Sequence, residues 1–156
     1  MKCDCKYFQD NYPNCTYCSD NNRILVSENK RKYILNNISG RQVCKIRIDN
    51  CVINDQSKCK CDYLIIVCNT DTQENIYFFI ELKGKDLIGA VEQLTQTIED
   101  FKHNINGKMF ARVVLSKVSC PRSIETDARV HKLKKMLKSY GGNFEYSSIK
   151  YERDKI

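Results

Sequence analysis

Apolar positions along this chain fall into two rhythms, one of strands and one of helices. Residues 62–68 (Asp-Tyr-Leu-Ile-Ile-Val-Cys) and 76–83 (Ile-Tyr-Phe-Phe-Ile-Glu-Leu-Lys) are near-continuous apolar runs of strand length. Such runs predict strands covered on both faces, with the polar residues 69–75 as the loop between them. Leu87, Val91, Leu94, Ile98, Phe101 and Ile105 then recur at alternating spacings of four and three behind Asp86, which predicts a capped amphipathic helix stopped by Asn106-Gly107. Residues 109–115 read as another buried strand. Residues 124–140 read as a second helix with Val130, Leu133, Leu137 and Tyr140 on one face, ended by Gly141-Gly142 before a last strand at 144–149. Upstream, Ser27 is positioned to cap a short helix running to about residue 37, with Tyr33, Ile34 and Ile38 apolar and Gly40 closing it. Residues 43–48 alternate as a strand, and Asp49-Asn50 predicts a tight turn into 51–53. The resulting order, αβββαβ followed by αβ, predicts an α/β (α+β) domain with a mixed central sheet flanked by helices.

A chain of 156 residues is most simply one domain with a single core. The first 22 residues are short of aliphatics and rich in Cys, Asn, Asp and Tyr, so they divide from residues 23–156 as a segment that needs a staple to stay ordered. The net charge of +7 favours a polyanionic partner over an acidic small molecule. The N-terminus lacks an apolar signal-peptide core, and the apolar runs are too short to span a bilayer, so a cytoplasmic protein with no membrane partner is expected. In that compartment the ten cysteines are read as thiols or metal ligands, and the Asn14-Cys15-Thr16 and Asn37-Ile38-Ser39 glycosylation patterns carry no weight.

The candidate chemistry sits where the two apolar runs end. Asp62 opens the first, and Glu81-Leu82-Lys83 closes the second. Alternation along a strand puts Glu81 and Lys83 on one face and Leu82 on the other, and pairing the two strands brings Asp62 to the same place. Two carboxylates and an ammonium gathered there suit a divalent metal, because an ionisable pair at the end of so apolar a run is costly unless paired or metal-bound.

This constellation, within this order of elements, resembles the PD-(D/E)xK nuclease superfamily. The resemblance implies a restriction-endonuclease-like αβββαβ core with a further helix and strand at the C-terminus, and a metal-dependent endonuclease acting on DNA rather than RNA. It also implies Mg2+ or Mn2+ held by Asp62, Glu81 and the backbone carbonyl of Leu82, with Lys83 as catalytic lysine. Cys61 stands where the family name expects proline. Relatives of this size act as homodimers or as subunits of restriction, antiviral-defence or recombination systems. The alternative is a catalytically inactive module of the same fold that binds nucleic acid or a protein.

Gln93, on the helix after the motif, and Glu28, in the segment read as the first helix, are accessory candidates. Each also has an ordinary reading, as a helix-flank amide and as a first-turn acid. Cys3, Cys5, Cys15 and Cys18 supply the ligand count of a structural Zn2+ site, with the Cys59 and Cys61 pair able to replace one of these pairs. An iron–sulfur cluster and free thiols remain the alternatives. Cys44, Cys51, Cys68 and Cys120 read as small core or near-core residues. His103 and His131 lie among polar helix residues. Lys30-Arg31-Lys32 and the Arg129, Lys132, Lys134, Lys135 and Lys138 cluster are candidate phosphate contacts that read no sequence.

Overall fold

In a computed structural model of the chain the described residues are 5–69, 74–83, 86–117 and 124–156, without the side chain of Lys83. They form a mixed α/β structure of nine strands and three helices in three layers. The strands are β1 (Thr16–Ser19), β2 (Arg23–Glu28), β3 (Arg31–Asn36), β4 (Val43–Arg47), β5 (Tyr63–Val67), β6 (Asn75–Lys83), β7 (Gly107–Leu115), β8 (Phe144–Ser148) and β9 (Lys150–Lys155). The helices are α1 (Cys5–Asn11), α2 (Leu87–Phe101) and α3 (Ala128–Ser139).

The middle layer is a six-stranded sheet in the order β1-β4-β5-β6-β7-β8. It is antiparallel from β1 to β6 and parallel from β6 through β8, since α2 and α3 carry the crossovers. Side-chain alternation then builds a core on each face. Leu64, Ile66, Tyr77, Phe79, Val113 and Leu115 face the helices, meeting Val91, Leu94 and Ile98 of α2 and Val130, Leu133 and Leu137 of α3. Ile65, Val67, Phe78, Ile80, Leu82 and Val114 face a second sheet, β2-β3-β9, through Val26, Tyr33, Leu35 and Tyr151. The near-continuous apolar character of β5 and β6 follows from this double coverage. Asp86 caps α2 by accepting from the Gly89 N–H at 2.8 Å. At Gly142, just past α3, a Cβ would overlap the Met109 carbonyl.

The helix expected over residues 27–37 is not formed; that stretch is the hairpin of β2 and β3. Its register pairs Glu28 with Arg31 around Asn29 and Lys30, both left-handed at φ 49° and 68°. Two residues with positive φ are what a tight primed hairpin turn requires, and Asn accepts that conformation readily. Ile24 and Val26 are buried while Leu25 is exposed at 43 %, a period of two that outweighs the capping potential of Ser27. The Asp49-Asn50 turn forms as expected, with Asn50 left-handed and its N–H donated to the Ile53 carbonyl.

The cysteine-rich N-terminal segment is built into the layers. Cys5 and Phe8 of α1 are buried in the helix-side core, and β1 is the edge strand beside β4. At the far edge, strand β9 was not anticipated. Its Asp154 takes a bidentate contact from Arg112 of β7 at 2.8 and 2.9 Å, and the two sheets are thereby joined by an ion pair. Among the described residues, no helix is long and apolar enough to cross a membrane.

Candidate metal centre

The antiparallel register sets Tyr63 opposite Ile80, so the next residues outward, Asp62 and Glu81, are brought opposite each other. The Leu82 N–H donates to Asp62 Oδ2 at 2.8 Å, which ties the residue before β5 directly to the end of β6. Glu81 is 2 % exposed and lies on the helix-side face with Tyr77 and Phe79, whereas Leu82 points into the other core. Lys83 ends β6, paired with Leu115 of β7. Its side chain, like the following Gly84, lies outside the described residues.

Helix α2 holds this corner from behind. Thr97 is fully buried; its hydroxyl accepts from the Cys61 N–H at 2.8 Å and donates to the Gln93 carbonyl at 2.8 Å. The Cys61 thiol is driven well above its ordinary value by burial and then by the Glu81 and Asp62 carboxylates, so it remains a neutral thiol beside two acids. Thr97→Val removes the acceptor of a buried N–H and is expected to cost about 1–3 kcal/mol in urea unfolding, whereas Thr97→Ser keeps most of that stability. Equal midpoints for Thr97→Val and the parent chain would show that the contact does not hold the corner.

The β2-β3 hairpin approaches from the other side. Arg31 Nε donates to the Leu82 carbonyl at 3.1 Å, so the carbonyl expected to bind a metal is met by a guanidinium. Glu28, its partner across the turn, is exposed overall, yet its carboxyl is raised from the ordinary glutamate range. Partial burial is the main cause and Asp62 the next, with Arg47 and Arg31 opposing them. Glu28 thus reaches the site from a strand end, not from the helix that its surroundings suggested.

A raised carboxyl means that the folded chain holds its Glu28 proton more tightly than the unfolded chain. Stability is therefore expected to fall as pH climbs from the unfolded value through the raised folded one. Glu28→Gln should flatten that descent in denaturation midpoints taken from about pH 4 to 7. Parallel profiles for the two proteins would remove Glu28 from the site's electrostatics.

Asp62 and Glu81 are brought opposite each other, and Glu28 is raised first by burial and then by Asp62; carboxylate oxygens are the donor type that Mg2+ or Mn2+ takes. Gln93 is half-buried one turn before Thr97 on α2 and contributes its backbone carbonyl to the Thr97 bond. His103 and His131 are exposed. Arg129 is engaged by Glu92 and Asp127, so it is less open to phosphate than its place in the basic cluster suggested. Sequence reasoning missed Thr97, and it read Arg31 only as part of a surface run. The signal for Arg31 was its position one turn from Glu28 across Asn29-Lys30.

The four cysteines expected to share zinc do not assemble as a set. Cys15 is disulfide-bonded to Cys51, because the start of β1 lies beside the turn after β4, and Cys3 lies outside the described residues. Cys5 and Cys18 instead converge with Cys44, the sulfurs all lying within 4.8 Å of one another in a cluster able to bind a metal. Cys59 is exposed and Cys61 buried, both as free cysteines apart from that cluster. No family model, characterised protein or solved structure matches the chain in comparison.

Proposed function

We propose that this chain is a small cytoplasmic metal-dependent nuclease of the PD-(D/E)xK type that hydrolyses phosphodiester bonds in DNA. The observation that carries the reading is the convergence of Asp62 and the buried Glu81 at the joined ends of β5 and β6, locked by the Leu82 N–H bond to Asp62. A divalent cation held by Asp62 and Glu81 would supply charge neutralisation for the scissile phosphate and acidify a water. Lys83 is the group to orient that water and to offset charge on the nonbridging oxygens. Arg31 and Arg47 flank the carboxylates as phosphate contacts, and such contacts position the backbone without reading sequence. Thr97 and the Asp62 bond to Leu82 fix the two acids without touching substrate.

The test is cleavage of linear, circular, branched and single-stranded DNA, and of RNA, with Mg2+ or Mn2+, by the parent chain, Glu81→Ala and Lys83→Ala. Metal-dependent cleavage by the parent alone is expected. Equal cleavage by all three would sink the catalytic assignment. Binding without cleavage by the parent would favour the inactive-module reading, in which Arg31 retains the Leu82 carbonyl.

A further inference from the structure

We propose that a single strand of nucleic acid reaches the carboxylate corner along a trough on the β1-β4 face of the central sheet, with a base stacked on Tyr17 and phosphates on Lys45, Arg47 and Arg31. The proposal rests on the nuclease reading for its destination and adds the form of the substrate and its path. Register puts Tyr17 of β1 directly across from Lys45 of β4, and Arg47 directly across from Tyr63 of β5. Cys44 and Ile46 face the helix-side core, so Lys45 and Arg47, and Tyr17 with them, lie on the opposite face. There the second sheet ends at the edge of β2. Lys45 Nζ donates to the Leu25 carbonyl at 3.0 Å, and Tyr17, one strand further out, is left 59 % exposed.

The trough leads to the corner. Its wall, β2, runs on from Leu25 to Glu28, where the hairpin brings Arg31 to the Leu82 carbonyl. Its floor runs from Lys45 to Arg47, and the next residue, Ile48, donates its N–H to the Asp62 carbonyl at 2.9 Å. Tyr17 and Asp62 are separated by roughly 10 Å along the strands and roughly 10 Å across them, a short run of nucleotides.

A single strand matches these groups and a duplex does not. Stacking on an aromatic ring needs an open base face, which a duplex keeps within its own stack. Lys45 Nζ lies 5.3 Å from the Tyr17 ring centroid, so ring and ammonium can meet the base and the phosphate of one nucleotide. Among the described residues Lys45, Arg47 and Arg31 form no ion pair, which leaves three positive charges along the trough for a polyanion. The acids at the corner end are Glu28, Asp49 and Asp62; Asp49 is paired with Lys60 at 3.6 Å, and Asp62 is a metal ligand in the nuclease reading.

The test is fluorescence anisotropy of a labelled oligothymidine and of a blunt duplex of the same length, titrated with the full chain in EDTA so that nothing is cut. The single strand is expected to bind at least about tenfold tighter than the duplex. Tyr17→Ala should weaken that binding by about 5- to 100-fold with its salt dependence kept, and Tyr17→Phe should retain it. Arg47→Gln, a second exposed position that reads the same trough should Tyr17→Ala fail to fold, should weaken binding and reduce the slope of log K against log salt by about 0.7. Tighter binding of the duplex, no binding of either, parent-like affinity of Tyr17→Ala, or a changed oligomeric state in place of lost affinity would overturn the proposal. Strand binding that depends on Tyr17, by a chain that cleaves nothing with Mg2+, would uphold the trough and refute the nuclease reading. Cleavage together with strand binding indifferent to Tyr17 would do the reverse.

Discussion

Glu81→Gln is expected to lower metal-dependent cleavage by roughly 10³-fold or more while the chain stays folded and at least as stable as its parent. The loss follows from position: Glu81 is the buried member of the carboxylate set, and an amide of equal size offers a metal one neutral oxygen in place of an anionic pair. The stability follows from the same burial. Asp62 stands opposite, so neutralising Glu81 removes a like-charge contact without opening a cavity. The measurement is single-turnover cleavage alongside thermal unfolding. Cleavage within tenfold of the parent would remove Glu81 from the reaction; loss of cleavage together with loss of the fold would make it a structural residue instead.

Asp154→Ala is expected to destabilise the chain by about 3–5 kcal/mol, a fall in Tm of about 10 °C for a chain of this size. Arg112 is 2 % exposed, and burial works against its charge; the two Asp154 bonds overcome that and hold its pKa raised. Its Nη1 donates to the Ala111 and Asn143 carbonyls, and its plane lies over the Phe110 and Tyr151 rings at 5.2 and 5.4 Å. Tyr33 also donates to Asp154 at 2.8 Å, and burial, then that carboxylate, keep its hydroxyl protonated well above the tyrosine range. Removing Asp154 therefore leaves a guanidinium without its counter-charge and a phenol without its acceptor between two sheets. Exchanging the pair together, Arg112→Met with Asp154→Leu, should cost far less than the single change, since no uncompensated charge is then buried. Urea unfolding of both variants measures this, and a cost under about 1 kcal/mol for Asp154→Ala would show that the ion pair does not bind the sheets together.

The two predictions probe different kinds of legibility. Glu81 was readable because a carboxylate ending an apolar run is conspicuous, and because β5 and β6 are adjacent in sequence, so one short loop determines their pairing. Arg112 was not, because a lone arginine within Met-Phe-Ala-Arg-Val-Val-Leu carries no sign of what it meets, and its acceptor lies 42 residues away on a strand with almost no apolar pattern. The β2-β3 hairpin was hidden for a related reason. Tyr33, Ile34 and Leu35 are all buried, which blurs a period of two into something a short helix could also show.

By itself the amino-acid order determined the double-covered strands β5, β6 and β7, the helix α2 with its Asp86 cap, the presence of α3, and the meeting of Asp62 with Glu81. These are matters of local period, capping and one short loop, which neighbouring residues specify. Only the tertiary structure decided that Glu28 and Arg31 reach the same corner from a second sheet, that Thr97 holds Cys61 in place, and that Cys44 joins Cys5 and Cys18 while Cys15 turns to Cys51. Those contacts join residues 26 or more apart, and no local pattern encodes which distant partner a side chain will face.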